Sequence, residues 1–431
     1  MDQQTMRACI ERKREGGDLS PEEWTRIVAG LMDGRVDEAQ FAALCMACVW
    51  RGMSFDEAFA MTRAMVESGD QLSFDRQEGV VVDKHSSGGV SDIVSLAAVP
   101  LAAACGARVA KLSGRALGHT GGTIDKLETI PGLRTALSTE EFAEQVRNTG
   151  CAIAAQSATI VPADKRIYAL RDRTGTVPAL GLISSSIVSK KIAGGAHAFV
   201  FDVKTGPAAF MQEPEKAKEL GRWLLEIAAR FGRRATAFVT DMSEPLGRCI
   251  GTGVEVVEAR EMLQGNGDPR AVQLVTAIAA ALVNECGFDE PEALVMRALS
   301  SGSGFEKFRE MIAAQGGDVS AFENMQLGES IAVRARSGGY VSSIDVVRLG
   351  HAGRRLSTHD PLGGLRVDVR IGDYVETGTP LLHAYGRDRD HAAQFADAFT
   401  LSESKPAPVP LIYDVQINSV LYPQSGRAAA L

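Results

Sequence analysis

The chain lacks the long apolar runs that would place it in a membrane. None of its 431 residues belongs to an apolar stretch approaching the roughly 18 residues needed to cross a bilayer. The N-terminus, Met1–Gln4, does not carry the apolar core of a secretory signal peptide. The sequence therefore predicts a cytoplasmic protein with no membrane partner.

An excess of positive charge is also missing. The chain has 46 Lys and Arg against 54 Asp and Glu, which gives a formal net charge of −8. An acidic chain without a basic stripe interleaved with aromatics is a poor candidate for binding a nucleic-acid backbone. We therefore expect no nucleic-acid partner, and cations that cluster locally stand out against this background.

The cysteines do not form a metal-binding or disulfide pattern. Seven are present, and only Cys45 and Cys48 form a C-x-x-C pair. That pair lies in an apolar helical stretch, without the second pair of a zinc site or the βαβ context of a redox motif. Free cysteine packs as a small hydrophobe, so the sequence predicts core cysteines in a reducing compartment.

The chain does contain two strand–loop units rich in glycine, hydroxyls and cations. An apolar strand pattern through Val82 leads into a loop at Lys84–Gly89, and Ile93 to Cys105 follows as a helix. A second strand, Arg108 to Leu112, leads into the loop Ser113–Thr123. Neither loop is a G-x-x-x-x-G-K-[ST] nucleotide-binding loop.

These residue types suit an oxyanion. Glycines let backbone N–H groups converge, and Lys84 adds a full positive charge. The hydroxyls that could donate to phosphate belong to Ser86, Ser95, Ser113 and Thr123. Either loop alone could be an ordinary βα turn that needs glycine for its geometry. Two such loops together favour a phosphate or phosphoryl site.

The order of patterns predicts an α/β protein. Residues 1–65 and 163–194 have helical periodicity, whereas strands and helices alternate in between and again from residue 198. This alternation predicts a parallel or mixed sheet, whose ligand sites lie beyond the carboxyl ends of the strands. The chain beyond about residue 337 has the pattern of a small β-rich region.

Two helices in the second helical stretch carry polar groups beside an apolar or aromatic surface. Tyr168 and Arg171 are spaced i, i+3, and Ile183, Ser186 and Lys190 are spaced i, i+3, i+7, so each set shares a helix face. Such faces could hold a planar heterocycle with carbonyl oxygens. Ordinary solvated helix faces are the alternative interpretation.

Several segments together resemble one family. Residues 84–90 (KHSSGGV) and 113–128 (SGRALGHTGGTIDKLE) closely resemble signature segments of the thymidine and pyrimidine-nucleoside phosphorylases. Residues 162–166, 170–172, 189–193 and 202–206 also fit the family. The resemblance covers nearly the whole chain and weakens after about residue 270.

This resemblance implies a reaction and an architecture. The family converts a pyrimidine nucleoside and phosphate reversibly into free base and pentose 1-phosphate, without a required cofactor, as a homodimer. Its fold implies a split all-helical domain, here 1–65 and 163–193, facing a larger mixed-sheet α/β domain across a cleft. The larger domain would comprise 80–154 and 197–335, followed by a β-rich α+β region at 336–431.

The resemblance also implies roles for particular residues. Phosphate ligands would be Lys84, Ser86, Ser95, Ser113 and Thr123. The pyrimidine and sugar would contact His85, Tyr168, Arg171, Ile183, Ser186 and Lys190, of which His85, Arg171 and Lys190 would be catalytic. Some relatives bind a structural potassium ion, for which the corresponding positions are Ser91, Leu246, Cys249 and Glu258.

Lys111 bears on the choice of sugar. Family members that accept both ribo- and deoxyribonucleosides resemble this chain in having lysine there, and a lysine could contact the ribose 2′-OH. We therefore expect a broad pyrimidine-nucleoside phosphorylase acting on uridine, thymidine and deoxyuridine, with a thymidine-specific enzyme as the alternative. Departures from the family pattern at Ser87, Ser91, Ala116 and Pro207 remove no residue assigned to catalysis.

Two other functions agree less well with the sequence. A phosphoribosyltransferase of related fold would need magnesium-binding carboxylates near the loops, and no Asp-Glu pair occurs there. A catalytically silent nucleoside-binding protein would be favoured by loss of His85, Arg171 or Lys190, but all three are present.

Overall fold

The computed structural model describes residues 3–116, 118, 121–387 and 389–418. Its helices are α1 (Gln3–Arg14), α2 (Pro21–Asp33), α3 (Glu38–Arg51), α4 (Phe55–Val66), α5 (Val94–Ala104), α6 (Thr123–Leu127), α7 (Thr139–Thr149), α8 (Pro162–Thr174), α9 (Leu180–Ala193), α10 (Pro214–Arg230), α11 (Gly253–Leu263), α12 (Pro269–Glu285), α13 (Pro291–Ser300), α14 (Ser303–Ala314), α15 (Val319–Glu323) and α16 (Val346–Ser357). Its strands are β1 (Val81–Ser86), β2 (Arg108–Ser113), β3 (Cys151–Ala155), β4 (Ala198–Thr205), β5 (Arg234–Asp241), β6 (Cys249–Gly251), β7 (Ser330–Arg334), β8 (Gly339–Ile344), β9 (Gly364–Val367), β10 (Tyr374–Val375), β11 (Pro380–Tyr385), β12 (Phe399–Ser402) and β13 (Ile412–Ile417). Among the described helices, none is both long and apolar enough to cross a membrane.

The first four helices form a bundle with α8 and α9. Local sequence sets the starts of α2 and α4, because Ser20 and Ser54 each form a reciprocal capping box with the glutamate three residues later. Helices α8 and α9 return to this bundle and pack against α2, α3 and α4. The helical part is thus assembled from two stretches of chain, with Trp24, Phe41 and Met61 fully buried in its core.

A six-stranded mixed sheet forms the centre of the larger part. Its order is β13-β5-β4-β1-β2-β3. The five strands from β5 to β3 are parallel, and β13 pairs antiparallel with β5. The predicted fold class, a helical part beside a mixed-sheet α/β part with a β-rich C-terminal part, is confirmed.

The two faces of this sheet belong to different hydrophobic cores. Val82 and Val109 pack in the core that also contains α5, α12 and the C-terminal strands, whereas the neighbouring Val81 and Ala110 pack in the core shared with the helical bundle. Successive side chains of a strand point to opposite faces, so one residue of offset decides which core a side chain joins.

The predicted boundaries of the C-terminal region need correction at both ends. Strand β7 begins before residue 336, and β6, from within the predicted 197–335 segment, joins β7, β9 and β11 in one four-stranded sheet. At the other end, β13 leaves the C-terminal region and becomes the edge strand of the main sheet. Hydrogen bonding between distant segments, which local pattern does not encode, sets both boundaries.

The first predicted loop also begins too early. Lys84, His85 and Ser86 lie in β1 and pair with Val200, Phe201 and Asp202 of β4. Strand alternation therefore applies to these residues. Lys84 and Ser86 point towards the α5 side of the sheet, whereas Asp83 points towards α9.

Candidate active site

A large cleft opens where the sheet connections change direction. From β1 the chain crosses to β2 on one side, whereas β4, on the other side, is reached only after the excursion through α8 and α9. Ligands of open α/β sheets bind at this type of switch point. Here a cavity of about 710 Å³ lies between the ends of β1 and β2 and the helices α8 and α9.

One half of the cavity is lined by hydroxyls and glycine N–H groups. Ser86 and Ser113 end their strands, Ser95 lies in the first turn of α5, and Thr123 is the first residue of α6. These four residues come from four separate elements, yet all of them line the same cavity. The structure thus brings together the four hydroxyls that the sequence suggested for phosphate.

Asp92 orients one of these hydroxyls. Ser86 donates to the Asp92 carboxylate at 2.6 Å and accepts from the Gly88 N–H at 3.3 Å. Burial opposes ionisation of Asp92, but the ammonium groups of Lys84 and Lys204 outweigh it and hold the pKa of that carboxyl well below its ordinary value. The Ser86 hydroxyl hydrogen is thus directed at Asp92, so this hydroxyl donates to an anion in the cavity only if it turns away from the carboxylate.

Lys84 lies behind the cavity wall rather than on it. Its side chain is fully buried, with Nζ 3.5 Å from Ser95 Oγ and 3.5 Å from the Asp202 carboxylate. Asp202 is also paired with Lys204 at 2.7 Å. The structure thus places the charge of Lys84 next to a cavity hydroxyl, from where it acts on an anion through its field.

Lys111 and Lys191 do line the cavity on this side. The Lys111 Nζ is 3.1 Å from the Leu112 carbonyl and 3.4 Å from Ser113 Oγ. The Leu112 carbonyl also accepts from Lys191, whose own counter-ion is Asp83 at 2.7 Å. Burial and then the charge of Lys191 hold the pKa of Lys111 well below its ordinary value. An anion in the cavity would raise that pKa again, because it stabilises the charged form of the lysine.

The opposite wall carries the residues suggested for the base. Tyr168, Arg171, Ile183, Ser186 and Lys190 all line it. Lys190 Nζ is 2.5 Å from the Asp164 carboxylate and 2.8 Å from Ser186 Oγ. The i, i+4 spacing on α9 places Ser186 and Lys190 side by side, and Asp164 on α8 fixes the ammonium between the two helices.

Arg171 is both part of this wall and a brace within it. The residue is 1% exposed, and its guanidinium donates to the carbonyls of Thr176, Val177 and Leu182. These carbonyls lie in the turn between α8 and α9 and at the start of α9. A guanidinium has five N–H donors, so two remain for a ligand in the cavity.

His85 stands at the end of β1 between the two halves. Burial, followed by the charges of Lys191 and Lys111, holds its pKa well below the ordinary value. The imidazole is therefore neutral at neutral pH. In that form it offers one N–H to a carbonyl oxygen without adding a positive charge.

Sequence reasoning missed the carboxylates that hold two lysines and a serine of the site. Asp164, Asp92 and Asp83 orient Lys190, Ser86 and Lys191 respectively. Asp164 lies in a segment that resembles the family, so the sequence could point to this residue. Its pairing with Lys190 on another helix could not be inferred from the sequence. Leu117, His119 and Thr120 of the second signature segment lie outside the described residues.

The residues suggested for potassium lie outside the cavity. Ser91 Oγ is buried without a hydrogen-bond partner among the described residues. The Glu258 side chain is 7% exposed and accepts the N–H groups of Arg248 and Cys249 at 2.5 and 2.9 Å. A Cβ built on Gly247 would lie 2.7 Å from Ser91 Oγ and 2.5 Å from Glu258 Oε2, so these oxygens converge on one point.

The chemistry of these groups suits a hard monovalent cation. Burial raises the pKa of Glu258 to about 7, against the opposing effect of its two backbone hydrogen bonds. A nearby cation would favour the ionised carboxylate. The Leu246 carbonyl already accepts from Arg370 at 3.0 Å, which leaves its second lone pair. The set fits oxygen coordination, to which the soft thiol of Cys249 would not contribute.

Two family models match the chain. The helical bundle domain of the glycosyl transferase family matches residues 7–69, and the a/b domain of that family matches residues 78–305. The fold is also that of a solved anthranilate phosphoribosyltransferase from Thermus thermophilus, with a TM-score of 0.58 and 22% identity. That likeness covers 71% of this chain and 99% of the other.

Curated relatives match over almost the whole length. The pyrimidine-nucleoside phosphorylase of Geobacillus stearothermophilus is 42% identical over 87% of this chain and 90% of its own. The thymidine phosphorylase of Mycobacterium tuberculosis is 42% identical over 94% of this chain and 97% of its own. The chain therefore belongs to the thymidine and pyrimidine-nucleoside phosphorylases of the glycosyl transferase family.

Proposed function

We propose that this protein catalyses the reversible phosphorolysis of pyrimidine nucleosides to free base and (deoxy)ribose 1-phosphate. One observation carries this proposal: a single cavity has hydroxyls, glycine N–H groups and Lys111 on one wall, and Arg171, Ser186 and Lys190 on the other. The first wall suits phosphate and the second suits a planar base with carbonyl oxygens. Relatives that are 42% identical bear the names of phosphorylases, which outweighs the 22% identical phosphoribosyltransferase.

The two walls account for the chemistry. A phosphate oxygen attacks C1′ from one side while the C1′–N bond breaks on the other, and the bonding electrons leave with the base. Lys190 and Arg171 face the negative charge that develops on the pyrimidine, and neutral His85 donates a hydrogen bond to a base carbonyl. Holding both reactants in one cavity supplies several kcal/mol of the required acceleration. We propose that no organic cofactor takes part.

The range of sugars depends on Lys111. Its Nζ lies beside Ser113 Oγ, where it can reach phosphate as well as the sugar that lies between phosphate and base. We propose that it tolerates a ribose 2′-OH, so that uridine and thymidine are both substrates. A thymidine-restricted enzyme remains the alternative outcome.

The direct test is base release, followed by absorbance, from thymidine, deoxyuridine, uridine and cytidine, with and without phosphate. Release that requires phosphate, from both thymidine and uridine, is the expected result. Consumption of thymidine but not uridine would make the enzyme thymidine-restricted. Absence of release from every nucleoside would contradict the proposed function.

We further propose that a potassium ion binds between Ser91, Glu258 and the backbone carbonyls near Leu246 and Cys249. At equal ionic strength, the protein should unfold a few degrees higher in potassium chloride than in choline chloride, because the ion binds only the folded state. The folded pKa of Glu258, about 7, exceeds its ordinary value, so without the ion stability falls as the carboxyl ionises with rising pH.

Since the ion binds the ionised form, its stabilisation should be larger at about pH 8 than at about pH 6. Thermal unfolding of Glu258→Gln should lose the difference between the two salts. Glu261→Gln, an exposed glutamate on the same helix, should keep it. Equal unfolding temperatures of the wild-type protein in both salts would rule the site out.

We also propose that the protein is a homodimer that pairs through α3. Ala39, Ala43, Met46 and Trp50 form an exposed stripe on this helix with spacing 4-3-4, and Trp50 is 80% exposed. That spacing lets two copies of one helix pack against each other about a two-fold axis.

The seven cysteines are free thiols, which supports the reducing environment of the cytoplasm as the location of the protein.

Trp50→Glu should convert the dimer into a monomer, since it would bury a charge at the centre of the interface. Light scattering during gel filtration measures the mass directly. Tyr374→Glu, at a tyrosine that is 61% exposed elsewhere on the surface, should leave the mass unchanged. A wild-type protein that elutes as a monomer, or a Trp50→Glu dimer, would contradict this interface.

A further inference from the structure

A residue from the C-terminal region contacts the second glycine-rich loop. Arg354, in the last turn of α16, donates from its guanidinium to the Gly118 carbonyl, across 236 residues of chain. Gly118 is equidistant in sequence from Ser113 and Thr123. Both line the side of the cavity that also carries Ser86, Ser95 and Lys111, here called the phosphate wall. The contact therefore reaches the middle of the segment that connects two phosphate-binding hydroxyls.

Helix α16 is a firm base for this contact. A Cβ built on Gly353 would lie 2.5 Å from the Ile250 carbonyl, so the helix backbone rests directly on β6 at the residue before Arg354. Ser357 Oγ lies 2.8 and 2.9 Å from the carbonyls of Gly353 and Gly363, which ties the end of α16 to the chain entering β9. The guanidinium thus projects from a helix whose position is fixed by the sheet beneath it.

The other described anchors of the loop are local. The Ala116 N–H donates to Asp125 at 2.6 Å, and Arg115 pairs with Asp125 at 3.0 Å and with Glu128 at 2.7 Å. These carboxylates belong to α6 and the residue after it, immediately following the loop. They tie the beginning of the loop to its end, but they do not hold its middle against the rest of the protein.

The sheet under α16 also supports the rest of the phosphate wall. Glu255, just after β6, accepts the Gly251 N–H at 3.0 Å and pairs with Lys126 of α6 at 2.6 Å. Lys126 in turn donates to the Asp92 carbonyl in the first loop at 2.9 Å. The C-terminal sheet therefore already frames α6 and the first loop, and Arg354 extends that frame to the second loop.

We propose that Arg354 is a positioning residue for phosphate: it fixes Gly118, which lies in the loop between the cavity residues Ser113 and Thr123. This inference rests on the proposed function, since it assigns phosphate to that wall. It gives a role to the chain beyond residue 305, where the match to the glycosyl transferase domain ends. Arg354 does not touch the reactants, so its effect should fall on phosphate and spare the nucleoside.

The test compares Arg354→Ala with Arg348→Ala. Arg348 lies on the same helix and also donates to a carbonyl, that of Gln394 at 2.9 Å, away from the loop. A hydrogen bond from a charged donor supports roughly a tenfold effect. Arg354→Ala should raise the KM for phosphate about tenfold and weaken the binding of inorganic phosphate, measured by calorimetry, by the same factor. The nucleoside KM should stay within about twofold of the wild-type value, and the unfolding temperature should not change.

Arg354→Lys, which can still reach one carbonyl, should recover part of the phosphate affinity, and Arg348→Ala should match the wild type. An unchanged phosphate KM in Arg354→Ala overturns the proposal. So does a parallel rise in both KM values with a lower unfolding temperature, because that pattern marks a merely structural residue. If the wild type consumes no nucleoside, the proposed function is wrong, but calorimetry with inorganic phosphate still compares the variants. If the wild type does not bind inorganic phosphate, this inference is overturned as well.

Discussion

Replacing Lys190 by alanine is expected to lower kcat for nucleoside phosphorolysis by a factor on the order of 10²–10³. The ammonium is held 2.5 Å from Asp164 and 2.8 Å from Ser186 on the wall that faces the base. Negative charge develops on the pyrimidine only as the C1′–N bond breaks, so the loss should fall on kcat more than on the nucleoside KM. Steady-state kinetics with thymidine and uridine measure both parameters.

Two further variants separate the causes of this loss. Lys216→Ala removes an exposed lysine paired with Glu213 at 3.1 Å and should leave kcat unchanged. Lys190→Ala also strands the buried Asp164 carboxylate beside the base, and the double variant with Asp164→Asn removes that charge. Because the lost ammonium is what stabilises the charge developing on the base, we expect the double variant to recover little. Full recovery in the double variant would assign the effect to the stranded carboxylate, and a single variant within a few-fold of the wild type would remove Lys190 from the mechanism.

Replacing Arg171 by methionine should damage stability and activity together. Three carbonyls, of Thr176, Val177 and Leu182, lose the buried guanidinium that donates to them. Each unsatisfied carbonyl costs about 1–3 kcal/mol, so we expect a loss of about 3 kcal/mol or more in the free energy of unfolding. The turn between α8 and α9 also positions α9 against the base, so kcat/KM should fall on the order of 10³-fold.

Urea unfolding and kinetics on the same preparations test both parts. Arg173→Met, two residues further along α8, removes an exposed arginine that pairs with Glu38 at 2.8 Å, and should change stability by no more than about 0.5 kcal/mol. Arg171→Lys keeps the charge but cannot reach three carbonyls with one ammonium, so only part of the stability should return. A stable, fully active Arg171→Met protein would refute the bracing role.

Elements with strong local signals could be predicted from the sequence. The capping boxes at Ser20 and Ser138 give the starts of α2 and α7, because the serine and the glutamate three residues later satisfy each other's backbone N–H groups. The glycine-rich loops and the helix faces with Tyr168 and Lys190 also follow from local spacing. These are the parts that line the cavity in the structure.

Pairings between distant segments could not be predicted in this way. Strand β13 hydrogen-bonds to β5, and Lys190 is held by Asp164 on another helix, and neither partner is encoded nearby. The position of Lys84 is a different case. The sequence pattern predicts a loop at residues 84–86, but these residues lie in β1. Strand alternation therefore turns Lys84 towards α5 and Asp83 towards α9.

The central claim is that one cavity brings phosphate and a pyrimidine nucleoside into reaction. Phosphorus NMR of a mixture of protein, inorganic phosphate and uridine or thymidine tests it most directly. A pentose 1-phosphate resonance that grows in step with released base, and that is nearly lost in Lys190→Ala, is the predicted result. Base released without a sugar phosphate, or no change in the phosphate resonance, would contradict the account.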